Sequence, residues 1–164
     1  MREPLKRKPN RLENYDYHRN GAYFITVCAR DRLELFATID RTEPSHSHLE
    51  LSDIGRMVEV AINRISQTYP DVCVDQYVIM PDHVHLILTI TRCSRRQGLA
   101  DVQSPVPTVQ TVVGQMKRFV SMQCGFSVWQ KSFHDHVIRN EEDYLQIAEY
   151  IETNPRRWKT SSRL

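Results

Sequence analysis

The sequence predicts an α+β fold: a ferredoxin-like sandwich with helices packed on one face of a central antiparallel sheet, plus a C-terminal helix. Three observations lead there. Several short stretches are dense in β-branched and aromatic residues, and three others repeat apolar residues at helical spacing. The two kinds follow one another as strand(s), helix, strand, strand, helix, strand, helix, for which a βαββαβ core with a terminal helix is the economical arrangement. The 164 residues suffice for one domain with its own core, and no internal repeat or low-complexity segment divides them.

Residues 1–20 are polar and basic, with Pro4 and Pro9, and read as an irregular arm. Gly21-Ala22-Tyr23-Phe24-Ile25-Thr26-Val27-Cys28-Ala29 has strand composition. Residues 33–36 and 48–51 are short strand candidates separated by the loop Thr42-Glu43-Pro44-Ser45. Ser52 is placed to cap a helix, with Asp53 in its first turn. Ile54, Met57, Val58, Ala61, Ile62 and Ile65 then recur at helical spacing until Tyr69-Pro70 stops the run.

Residues 73–80 and 83–90 make a hairpin about Pro81-Asp82, and residues 91–106 read as a loop. A second helix carries Val109, Val112, Val113, Met116 and Val120 on one face, with Gly114 opposite at a small cost in propensity. A short strand over Ser132–Arg139 precedes a third helix. That helix starts at Asn140, with Glu141, Glu142 and Asp143 in its first turn, and is expected to end at Pro155, leaving 156–164 as a basic tail. On it Tyr144, Ile147, Ala148 and Ile151 form the apolar stripe, which makes Tyr144 a core residue. Tyr150 falls on a flank, with Gln146 and Asn154 four residues before and after it.

Composition excludes some classes. No apolar run approaches membrane-spanning length, and the N-terminus lacks a signal peptide's apolar region. Cys28, Cys73, Cys93 and Cys124 are scattered without a Cys-x-x-Cys pair, so neither a zinc ribbon nor a disulfide framework is signalled, and a reducing cytoplasm is expected. Net charge is only +2, yet bases cluster at Arg2, Lys6, Arg7, Lys8 and Arg11, at Arg92, Arg95 and Arg96, and at Arg156, Arg157, Lys159 and Arg163. Such clusters suit a phosphate-tracking surface, though basic termini also serve solubility.

The chemistry centres on His83-Val84-His85 at the start of a strand. Side chains alternate across a strand, so both imidazoles project from one face and can share a metal ion. The same pattern also occurs as two inert, hydrogen-bonded polar residues. Tyr150 offers a possible partner: a phenol of ordinary pKa about 10 is a poor nucleophile until a cation or base activates it. A metal on His83 and His85 would do so, and Asn154 could add an oxygen ligand. Oxygen ligands and phosphate substrates suit Mg2+ or Mn2+, and imidazoles favour Mn2+ of the two.

Met80-Pro81-Asp82-His83-Val84-His85-Leu86 resembles the HUH motif of single-strand tyrosine transposases. Val128-Trp129-Gln130-Lys131-Ser132-Phe133-His134-Asp135-His136-Val137-Ile138-Arg139-Asn140, Tyr150-Ile151-Glu152-Thr153-Asn154-Pro155 and the early Gly21-Ala22-Tyr23-Phe24-Ile25-Thr26 resemble segments of its REP-associated branch, in the same order. The likeness spans roughly residues 15 to 158.

It implies a ferredoxin-like fold, a divalent metal (Mg2+ or Mn2+) and cleavage of single-stranded DNA near palindromic hairpins through a 5′-phosphotyrosine link. Carried over by position, His83 and His85 are metal ligands, Tyr150 is the nucleophile and Asn154 is the third ligand. Gly21, Tyr23 and Phe24 fall where the branch recognises DNA, although Ala22-Tyr23 stands where some members have Thr-Trp. Arg139, Arg156 and Arg157 are candidate phosphate contacts, with solvated charge as the ordinary alternative. His136 and Gln146 are candidates for supporting the site, and His136 is equally open to a structural role. Asp82 stands where Asn or Glu is often found, a departure expected to leave the ligands untouched. The short connection before the third helix favours use of Tyr150 by its own chain, hence a monomer, with a homodimer as the alternative.

Other His-x-His enzymes fit poorly. Histidine-triad hydrolases need a third His where Ile87 stands, metallo-β-lactamase folds need Asp-His soon after the pair, and a cupin needs far less helix. Two readings of other classes stay open: a domesticated hairpin-DNA-binding protein without useful cleavage, and a metal-binding interaction module without DNA affinity.

Overall fold

A computed structural model describes residues 20–43, 46–91 and 107–158. Most of the N-terminal arm and of the 91–106 loop, with Arg92, Arg95, Arg96 and Cys93, lies outside the described residues, as do Lys159 and Arg163.

The strands are β1 (Gly21–Cys28), β2 (Ala37–Glu43), β3 (His46–Leu51), β4 (Val72–Ile79), β5 (His83–Ile90) and β6 (His134–Ile138). The helices are α1 (Asp53–Asn63), the short α2 (Ile65–Thr68), α3 (Val109–Cys124) and α4 (Glu141–Arg157). β4, β5, β1 and β6 lie side by side in that order, every neighbouring pair antiparallel. The expected βαββαβ succession is therefore present, with the β2–β3 hairpin inserted after the first strand.

Alternation along β1 and β5 divides the sheet into two faces. Tyr23, Ile25 and Val27 of β1 and Val84, Leu86, Leu88 and Ile90 of β5 form one core with α1 and α3. α1 starts where expected: Ser52 Oγ accepts from Gly55 N at 3.0 Å, and its hydroxyl donates to Leu35 O at 2.6 Å. Val58, Ala61 and Ile62 then face the sheet. α3 is capped by Thr108, buries the five apolar residues its spacing predicts, and ends at Gly125, whose φ of 74° suits glycine.

The second face carries α4. Gln76 of β4 donates its Nε2–H to Ala148 O at 3.2 Å, and Phe24 and His85 meet the ring of Tyr150. α1 and α3 thus share one face while the C-terminal helix covers the other. β5 is buried on both sides, which is why Leu86-Ile87-Leu88 is a continuous apolar run.

Three boundaries depart from expectation. The strand foreseen at 33–36 begins instead at Ala37, because Phe36 N donates to Pro81 O at 2.9 Å and ties this segment to the β4–β5 turn. The loop foreseen at 42–45 is shorter, since β2 runs through Glu43 and β3 starts at His46. Pro155 does not end α4: it removes one backbone donor, but its fixed φ is helical, and the helix continues to Arg157. Arg156 and Arg157 are therefore helix residues rather than tail. Tyr144 is only half-buried, with its hydroxyl 3.4 Å from Asp75 Oδ2.

Candidate active site

Among the described residues, the buried polar or charged ones are Asp82, His83, His85 and Asn154. Burying such groups is costly unless they are partnered, so the run Asp82, His83 and His85 at the start of β5 marks a candidate site. β5 supplies the histidines. Met80 N donates to His83 O at 2.8 Å and closes the turn, so β5 begins at His83 itself. The two imidazole centroids lie 4.5 Å apart.

Each ring is held at Nδ1. His83 Nδ1 meets the Asp82 carboxylate at 2.5 Å, and His85 Nδ1 lies 2.8 Å from Thr26 Oγ1 on the neighbouring strand. A carboxylate only accepts, so His83 donates from Nδ1, which in the neutral ring leaves the lone pair on Nε2. His85 Nε2 is buried without a hydrogen-bond partner. Burial above all, with the Arg32 charge adding, pushes the His85 pKa down to about 3, against a smaller opposing pull from Asp82. His85 is thus a neutral imidazole near pH 7, the form that ligates metals.

α4 completes the arrangement. Tyr150 sets its ring 5.3 Å from His85 and edge-on to Phe24 at 6.1 Å, while Phe24 stacks on His85 at 5.1 Å. Two turns along, Trp158 lies 5.7 Å from His83. Asn154 stands midway between them along the helix and is buried. The α4 segment thus meets His85 through Tyr150 and His83 through Trp158, with Asn154 between these two positions in the chain.

These residues fit a divalent cation. Two imidazoles are anchored through their other nitrogens, as metal-binding histidines usually are, and one has an unpartnered nitrogen. No group of three or more His, Cys, Asp or Glu among the described residues is placed to hold a metal, so a third protein ligand would come from an amide such as Asn154.

The remaining candidates separate from this centre. Gly21 pairs with Ile90 at the end of β1 remote from the Cys28–His83 pair. Tyr23 is fully buried in the core on the opposite face, and this corrects the expectation that it reads DNA: strand alternation turns it away from Phe24. Gln146 is exposed, and its Nε2 donates to Glu142 Oε1 at 3.4 Å, on the helix surface. His136 lies opposite Phe24 on β6; its Nε2 meets Asp143 Oδ2 at 2.9 Å and holds the Asp143 carboxyl below its usual range. Arg139, Arg156 and Arg157 are exposed.

No protein-family model matches the chain. An uncharacterized protein of Haemophilus influenzae is 34% identical to it over 93% of this chain and 90% of its own length. The REP-associated tyrosine transposase of Escherichia coli is 26% identical over 85% of this chain and 68% of its own. Among solved structures, a REP-associated tyrosine transposase bound to a REP hairpin aligns with a TM-score of 0.57 at 25% identity, covering 88% of this chain and 73% of that one. The chain resembles REP-associated tyrosine transposases in sequence over most of its length and in fold.

Asp82 Oδ1 is the group on His83 Nδ1. Asp82 Oδ2 in turn meets Arg32 Nε at 2.9 Å, and Arg32 Nη1 donates to Cys28 Sγ at 2.9 Å. Asp31 and Arg32 hold this turn at φ 55° and 57°, a left-handed conformation costing about 1–2 kcal/mol per residue. Thr26, Arg32 and Trp158 were not foreseen. The period of β1 places Thr26 on the Phe24 face, but its pairing with His85 depends on register, and nothing local marks the other two.

Proposed function

We propose that this chain is a metal-dependent single-stranded DNA endonuclease and strand transferase acting beside hairpin DNA, with Tyr150 as nucleophile. The observation that carries this reading is the packing of Tyr150 against His85, beside an imidazole nitrogen that is buried and unpartnered. The solved relative's bound REP hairpin supports the class of DNA. Tyr150 is 40% exposed, which leaves its hydroxyl open to a strand.

His83 Nε2, His85 Nε2 and the Asn154 side-chain oxygen would hold Mg2+ or Mn2+. Such an ion, when bound, withdraws charge from a non-bridging phosphate oxygen. Phe24 and His85 fix the Tyr150 ring so that Oη faces the scissile phosphate. Oη attacks phosphorus, the P–O3′ bond breaks, and O3′ leaves with the electron pair and takes a proton as the phenolic proton passes to solvent. The products are a 5′-phosphotyrosine and a 3′-hydroxyl. Attack of a DNA 3′-hydroxyl on that link reverses the step and rejoins strands without a nucleotide cofactor. Arg139, Arg156 and Arg157 are suited to phosphates on either side.

The test is a labelled single-stranded REP-type hairpin incubated with Mn2+ and run on a denaturing gel. A covalent adduct with wild type and none with Tyr150→Phe is expected. Hairpin binding with no adduct from either protein would overturn the nuclease reading and leave a hairpin-binding protein of the same fold.

A further inference from the structure

We infer that Asp82 and Arg32 form a positioning pair that sets the tautomer and ring orientation of His83. The inference rests on the proposed reading of His83 and His85 as metal ligands.

The pair is built from distant parts of the chain. Asp82 is 5% exposed and places one carboxylate oxygen on His83 Nδ1 and the other on Arg32 Nε. Because the carboxylate can only accept, His83 carries its proton on Nδ1, the tautomer less favoured by a free imidazole in water. Its lone pair then lies on Nε2. Without Asp82 the ring would be free to take the other tautomer, with a proton on the nitrogen that must ligate.

Arg32 makes a buried carboxylate tolerable, since its guanidinium neutralises the oxygen that His83 does not use. Its own place is fixed by backbone. Ala29 N donates to Asp82 O at 2.8 Å, Phe36 N donates to Pro81 O at 2.9 Å, and Arg32 N donates to Ala29 O at 3.1 Å. The segment after β1 is thereby folded over the β4–β5 turn. Two consecutive non-glycine residues in the left-handed region persist where the surroundings over-determine them, and here the result is an arginine aimed at Asp82.

Two measurements test the pair. In metal-free protein, long-range 1H–15N correlation of the imidazoles should show His83 as Nδ1–H in wild type and shifted towards Nε2–H in Asp82→Ala. In a titration with Mn2+ alone, Asp82→Ala should bind about 10- to 100-fold more weakly. Asp82→Asn, which keeps an oxygen acceptor, should restore part of both signals, which a purely structural role would not predict. Arg32→Met, altering a partly exposed side chain, should weaken Mn2+ binding in the same direction, and it carries the test should Asp82→Ala not fold. An Nε2–H His83 in wild type, or unchanged Mn2+ affinity in the folded variants, would overturn the pair. Wild-type protein that shows His83 as Nδ1–H but binds no Mn2+ would instead sink the metal reading and leave the tautomer assignment standing.

Discussion

Thr26 owes its position to the period of a strand. It lies between Phe24 and Cys28 on the face that α4 covers, directly opposite His85 in the β1–β5 ladder. Its hydroxyl is the only group on His85 Nδ1 among the contacts described, 2.8 Å away. Thr26→Val keeps the shape and the strand propensity while removing that oxygen. We expect a stability loss of about 1 kcal/mol and a fall of about 10- to 100-fold in Mn2+ affinity. Urea unfolding and a Mn2+ titration on the same sample would check both. Spacing puts His83 and His85 on one face and Tyr150 on a helix flank, and the resemblance to a known family singles the three out from the sequence. Thr26 and Arg32 could not be singled out, since each becomes part of the site only through a contact between segments far apart in sequence.

At the scale of elements, the starts of the first and last helices were the most legible features: Ser52 and Asn140 each accept from a backbone N–H of the first turn, as Thr108, which the sequence did not single out, does for α3. β2 was the least legible, because residues 33–36 follow a tertiary contact with Pro81 rather than a ladder. That contact continues into α1. A Cβ on Gly55 would lie 2.0 Å from Phe36 O, so the glycine is what lets the helix start come down on this segment. Gly55→Ala should destabilise the fold by about 2 kcal/mol or more through overpacking against backbone, read as a lowered urea midpoint. The effect should also reach the Arg32–Asp82 contact, because Phe36 is bound to the turn that presents Asp82. An unchanged midpoint would show that α1 can shift without cost.

The whole molecule places its chemistry on the thinner of two layers. α1 and α3 share a continuous core with the sheet, and α3 alone buries five apolar residues there. Fold class and strand succession were legible because these stripes are strong. The division of helices between faces was not, since α4 buries only Ile151 and Asn154 and its sequence pattern does not name the surface it meets. No helix among the described residues is long and apolar enough to cross a membrane.

The light anchoring of α4 has a consequence in time. An element with few buried contacts opens at a lower free energy than the strands beneath it. Amide hydrogens of α4 should therefore exchange faster than those of β5, and saturating Mn2+ should slow α4 selectively if Asn154 joins the ion. Uniform protection of α4 and β5, with no response to Mn2+, would argue against both points. On the proposed reading, a strand covalently attached to Tyr150 would be carried by the more readily opened of these elements. The two attacks of the proposed reaction would then be separable by a movement of the linked DNA end without dismantling the site.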